Sequence, residues 1–385
     1  MTPQARAQAA IEILDEVIAA ARDQGAAADV IVQRYFKARR YAGSKDRRAV
    51  RELVYAAIRR AGERPANGRA ALIGLAGDRP ELAALFDGSP HAPAPIAADE
   101  PRAPAAEMPG WLADRLSGHG LSGRAPLDVR VNRLKATRDS VAIEGAIPTP
   151  HSPDGLRLPE GAQVEALPAF AQGLIEVQDE GSQLVAAACG AEPGMRVVDL
   201  CAGAGGKTLA LAAAMGNEGH ILACDTDRAR LSRLPPRAGR AGAAIVETRL
   251  LDPNREAAAL GDWREQADLV VVDAPCSGTG TWRRNPEARW RLTPERLARL
   301  TALQARLLDL AAALVRPGGR LAYVTCSLLD EEGARQAEAF LGRHPGWRAG
   351  TPGLRIGRPR GPGAILTPAH DGTDGFFFAE LIAPC

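Results

Sequence analysis

Residues Arg196 to Thr208 read RVVDLCAGAGGKT, and the order of their parts decides the fold. A short apolar run, Arg196 to Leu200, carries Asp199 near its end and passes into a glycine-rich loop. LALAAAM then has the spacing of a helix. Strand, glycine loop and helix in that order make a nucleotide-type site, because glycine lets a ligand come close to the backbone. Outward from this point the same alternation continues. From Ile175 the apolar runs RVVDL, HILACD, AAIVE, DLVVVDAP and RLAYVTCS alternate with helical stretches such as Arg228 to Leu234 and Pro294 to Val315. That pattern predicts a doubly wound α/β sheet with parallel core strands over residues 171–385.

Acids close the successive strands: Asp199, then Asp225, then Asp252. Carboxylates at those places suit the ribose and adenine of an adenosine cofactor. The spacing GxGxxG is not met, and no Walker-type run precedes Gly206, Lys207 and Thr208, which favours S-adenosylmethionine over NAD or ATP. A tight turn with no ligand, or a dinucleotide site, stays open for the loop taken alone. The predicted cofactor contacts are Cys201, Ala202, Gly203, Ala204, Gly205, Gly206, Lys207, Asp225, Asp252 and Asp273. Lys207 is one of four lysines in a chain with 44 arginines, so a compact ammonium in this place has a reason of its own.

The run DLVVVDAPCSGTG, Asp268 to Gly280, puts Asp273 at a strand's C-terminal end and Cys276 in the turn after it. LAYVTCS delivers Cys326 to the same edge, where open α/β sheets bind ligands. Two thiols fifty residues apart in sequence therefore converge on one crevice. Carbon 5 of cytosine is not nucleophilic until a thiolate adds at carbon 6, and the adduct then needs a base for the carbon 5 proton. The predicted catalytic set is Cys326, Cys276 and Asp273. Cys189, Cys224 and Cys385 are expected to be ordinary buried cysteines.

At 385 residues, with 46% hydrophobic and 24% charged residues, the chain has the composition of a globular protein of two or three domains. No apolar stretch is long enough for a membrane span, the N-terminus lacks the layout of a secretory signal, and a cytoplasmic monomer is expected. Six cysteines without a CxxC or a Cys/His cluster argue against both disulfides and a metal. Residues 1–87 read as a small helical domain, with Ile11, Leu14, Val17 and Ile18 on one face and Val50, Leu53, Val54, Ala57 and Ile58 on another. Residues 88–109 are proline-rich and read as a linker. Residues 110–170 read as a small mixed subdomain carrying Arg130, Arg133, Lys135 and Arg138. The net charge is only +2, but Arg34 to Arg60 holds ten basic residues against Asp46 and Glu52, a candidate phosphate-contacting surface. TWRRNPEARWRL, with Trp282 and Trp290 among arginines, suits stacking on unpaired bases, and core tryptophans in a basic loop are the competing reading.

On VQDEGSQLVA (177–186), DLCAGAGGKT (199–208), CDTDRARLSRL (224–234), DAPCSGTGTWRRNPEARW, VTCS and LTPAHDGTDGFFFAEL, the sequence resembles the RsmB (Sun/Fmu) family of bacterial ribosomal RNA cytosine-5 methyltransferases. The resemblance implies a Rossmann-like methyltransferase core, an all-α N-terminal domain similar to the antitermination factor NusB, and a small α+β RNA-binding subdomain between them. It implies ribosomal RNA as substrate and partner, Cys326 as nucleophile and Cys276 as the residue that assists product release. The loop departs from the family's usual one at Gly203 and Ala204, where a small residue and a proline are common. Two other classes remain in view: a noncatalytic NusB-like RNA-binding or antitermination factor, and a methyltransferase for small molecules or proteins.

Overall fold

The computed structural model describes residues 1–23 and 25–385. They divide into two compact units, Met1–Arg124 with Thr281–Pro294, and Ala125–Gly280 with Glu295–Cys385.

The first unit is built on four helices: α1 Pro3–Arg22, α2 Ala28–Ala38, α3 Ser44–Arg60 and α4 Gly68–Asp78. The Thr2 hydroxyl caps α1 by accepting from the Ala5 N–H at 3.1 Å. The two predicted faces meet in one core, with Leu53 alone half-buried at its margin. Residues 88–109 are not a free linker, which corrects the sequence expectation. The Ala103 and Ala106 N–H groups donate to the carbonyls of Ala70 and Arg60 at 3.0 and 2.9 Å, and Arg69 pairs with Glu100. Prolines bar this segment from helix and sheet ladders, but the residues between them keep their backbone donors for helices already formed.

In Thr281–Pro294 the tryptophans follow the second of the two readings, that of core residues. Trp282 and Trp290 are 1% and 4% exposed, so neither offers a face to a base. Trp290 donates its indole N–H to the Ala61 carbonyl at 2.7 Å, closing the end of α3. Glu287 accepts from the Ala28 N–H at 3.0 Å, where α2 begins without a capping side chain of its own. Arg291 donates to the Gly25 and Ala26 carbonyls. The segment thus supplies partners for backbone groups that helix ends leave unpaired.

The second unit contains two sheets. β1 Leu127–Val131, β2 Ile147–Pro148, β3 Gly155–Leu158 and β4 Ile175–Val177 pair antiparallel in the order β2-β3-β1-β4. Arg130, one of the four basic residues named in this subdomain, is 6% exposed and donates to Gln178 at 2.6 Å. The larger sheet comprises β5 Arg196–Asp199, β6 His220–Asp225, β7 Val246–Leu250, β8 Ala267–Asp273, β9 Val315–Thr325, β10 Arg348–Ala349, β11 Arg358–Arg360, β12 Gly363–Leu366 and β13 Phe376–Ile382. Its order is β11-β12-β13-β9-β8-β5-β6-β7, with β10 on β13. β5 through β9 run parallel and the rest antiparallel.

On β8, Val270 and Val272 face one core cluster and Leu269 and Val271 another, so both faces are covered. That is why its sequence is an unbroken apolar run. β5 lies between β6 and β8, so the chain leaves the end of β5 at the topological switch point, where such sheets open a crevice. This is the Rossmann-like fold expected from residues 196–208. Among the described residues no helix is long and apolar enough to cross a membrane.

Candidate active site

The loop after β5 is held open by glycine. Gly205 has φ +88°, and a Cβ there would meet Leu234 Cδ1 at 2.0 Å. The helix Gly206–Ala214 starts directly behind it, and a Cβ at Gly206 would meet nothing within 4 Å, so there is room beside the helix start.

Carboxylates surround this loop. Asp225 is fixed by two backbone bonds, accepting from the Gly203 N–H at 2.8 Å and the Asp227 N–H at 2.7 Å. Asp199 is 1% exposed; its Oδ2 accepts from the Thr208 hydroxyl at 2.7 Å, and its Oδ1 is buried with no partner. Burial pushes the Asp199 carboxyl up to about 7, against the pull of the Thr208 bond. Asp252 is exposed just beyond β7. Lys207 is buried and donates to Asp273 at 2.6 Å. Burial would lower the Lys207 ammonium, but the Asp273 charge and bond outweigh it and hold it above its ordinary value. Its Nζ also lies 5.4 Å from the centre of the Phe376 ring.

Around the loop Asp199, Asp225 and Asp252 supply carboxylates, with the Arg230 guanidinium beside Gly203 and Arg237 donating to the Ala204 carbonyl. That donor set fits the sulfonium and ribose of S-adenosylmethionine.

The two cysteines meet. Cys276 Sγ and Cys326 Sγ are 3.3 Å apart, each half-buried on the same edge as Asp273. The bond to Cys326 pushes the Cys276 thiol well above the usual cysteine range; burial, the Cys326 charge and Glu332 push the same way. Either sulfur can donate to the other across this contact. Cys189 and Cys224 are buried, with thiols pushed up to about 12 by desolvation, as expected of core cysteines. Cys385 is exposed, contrary to expectation, because the chain's last two residues lie outside the core.

Behind the thiols lies a polar network that sequence reading missed. Glu332, fully buried, accepts from the Ser277 N–H at 2.8 Å, from the Ser277 hydroxyl, and from Gln304 Nε2 at 3.1 Å. Gln304 also donates to the Pro275 carbonyl at 2.9 Å, and Ser277 Oγ lies 3.1 Å from Ser327 Oγ. The serines beside both cysteines are thus tied to one another, with Ser277 anchored on the buried carboxylate. Only the serines were visible in the motifs; nothing in the spacing connects Glu332 to a turn 55 residues away.

Residues 187–382 match the family model for the 16S rRNA methyltransferase RsmB/F. The chain belongs to this family. RsmB/F enzymes use S-adenosylmethionine, in keeping with the acids around the loop. A ribosomal RNA small subunit methyltransferase B of Salmonella arizonae is 38% identical over 291 residues, 71% of this chain and 66% of that protein. The chain thus matches just under two thirds of the length of that relative. Among solved structures, PH0851 superposes with a TM-score of 0.78 at 26% identity over 99% of both chains. A methyltransferase homolog from Pyrococcus horikoshii has a TM-score of 0.59 at 27% identity, over 71% of this chain and 91% of that one.

Proposed function

We propose that this RsmB/F protein methylates carbon 5 of cytosine in RNA, with small-subunit ribosomal RNA as substrate. The reading rests above all on the 3.3 Å approach of Cys276 and Cys326 beside the Lys207–Asp273 pair. A methyltransferase for small molecules or proteins has no use for two thiols in contact, and a noncatalytic RNA binder leaves them unexplained.

S-adenosylmethionine, when bound, supplies the electrophilic methyl group. Cys326, in the Thr-Cys-Ser motif to which the family resemblance gives the role of nucleophile, is the sulfur that attacks carbon 6 of the target base. The ring becomes an enamine anion, and the Lys207 ammonium lies close enough to Cys326 for their charges to interact. Asp273, bonded to Lys207, is the group near ring nitrogen 3 that favours addition. Carbon 5 takes the methyl group. Spending the Cys326 charge in the carbon–sulfur bond removes what held the Cys276 proton, which passes to solvent. Cys276 then takes the carbon 5 proton, the C5=C6 bond reforms, and Cys326 leaves as a thiolate. One proton is released per turnover.

The base must leave its stack to reach these sulfurs. The helical unit serves as the NusB-like RNA grip, with Lys37, Arg40, Lys45, Arg48 and Arg51 exposed along α2, the following turn and α3. We assign its place of action to the cytoplasm. Cys276→Ala is expected to trap a covalent RNA adduct visible as a slow band on a denaturing gel. Cys326→Ala is expected to lose adduct and 5-methylcytosine together. A harmless Cys326→Ala would overturn the mechanism, and exchanged phenotypes would reverse the roles.

A further inference from the structure

A cavity of about 400 Å³ opens in the helical unit, lined by Arg59, Arg289, Glu107 and the backbone around Ser122 and Gly123. Arg289 is 4% exposed, and among the described residues it has no carboxylate within ion-pair distance; it donates Nε to the Pro286 carbonyl at 2.7 Å and Nη1 to the Glu107 carbonyl. Arg59 donates only Nε, to the Gly123 carbonyl at 3.3 Å. Both terminal nitrogens of Arg59 and Nη2 of Arg289 are left to the cavity or its water.

A buried and a half-buried guanidinium on one cavity, neither in an ion pair among the described residues, are costly to hold, because both are desolvated and like charges repel. The cost shows in their titration: burial is the first cause that lowers both Arg59 and Arg289, the latter to about 10, although at Arg289 the pull of Glu107 exceeds the repulsion from Arg59. Arg124 adds to the positive field at Arg59, and Glu107 and Glu287 offset part of it. Glu287 is committed to the Ala28 N–H, and Arg60, also on the wall, is bonded to Asp78 and the Ala103 carbonyl. What remains is a walled pair of planar donor forks, the arrangement that takes a phosphate by several charge-assisted bonds.

We propose that this cavity, in which Arg59 at the end of the basic run of residues 34–60 is joined by the buried Arg289, is a phosphate-binding site separate from the methyl-transfer centre. Its ligand is a phosphate group, carried either by the RNA backbone or by a small phosphate compound. The site does not depend on which base is methylated or whether one is.

The full-length protein is titrated with inorganic phosphate at constant ionic strength while its melting temperature is followed. The expected result is a saturable rise of several degrees for the wild type and none beyond the general salt effect for Arg59→Gln. Ser122→Asp, at an exposed rim position, brings in a carboxylate without removing any packing, and it too should abolish the rise. Equal responses in all three proteins would overturn the proposal. The same variants are then compared for binding to a small-subunit RNA transcript. A threefold to tenfold loss, with a salt slope shallower by about one, identifies the ligand as a backbone phosphate. Unchanged RNA binding with a lost phosphate response identifies a small phosphate compound.

Discussion

Asp199 couples the cofactor loop to pH. Its carboxyl titrates near 7 in the fold against an ordinary value of 3.8, so the native state holds a proton that the unfolded chain releases. Its contribution is fully present below about pH 4 and is lost as pH rises towards 7, a change of at most about 4 kcal/mol. Asp199→Asn, which can still accept from the Thr208 hydroxyl, is expected to flatten the stability profile across that window in urea titrations at successive pH values. Cys276 makes a second residue-scale prediction. Since the bond to Cys326 leads the causes that raise its thiol, Cys326→Ala should let Cys276 ionise at lower pH. Its alkylation by iodoacetamide should rise several-fold at pH 8, read by mass spectrometry; an unchanged rate would mean that the two sulfurs do not share a proton.

At the level of elements, the two catalytic turns are joined through hydroxyls and a buried acid rather than through the sheet alone. Glu332→Ala leaves the Ser277 N–H, the Ser277 hydroxyl and Gln304 short of an acceptor, and a cost of about 3 kcal/mol is expected in the denaturant midpoint. Activity of the folded fraction should fall mainly in kcat, because the thiol turns lose their anchor while the glycine loop does not. This network also marks the limit of what the sequence revealed. β5, β8 and β9 were readable because strands covered on both faces are continuous apolar runs, and the thiols because their turns are polar. Glu332 was not, since its partners are set by tertiary packing. The same is true of Trp282 and Trp290, whose arginine neighbours suggested a binding surface. Arg289 and Arg291 in fact bond backbone carbonyls, and burial of the indoles leaves no sequence period in so short a segment.

For the whole molecule, the helical unit is not continuous in sequence: Thr281–Pro294 completes it. Trp290→Ala should cost about 3–5 kcal/mol by leaving a cavity and an unpaired Ala61 carbonyl. Residues 1–124 expressed alone should be poorly ordered by circular dichroism and gain helix when a peptide of residues 281–294 is added. Equal order with and without the peptide would show that the four helices suffice. The same arrangement bears on synthesis. A ribosome making this chain at roughly 5–20 residues per second finishes the four helices long before it reaches Trp290. For an interval on the order of ten seconds the nascent N-terminal helices stand with their Trp290 site unfilled, and the unit closes when four of the nine strands of the larger sheet, β5 to β8, have left the exit tunnel and the other five have not.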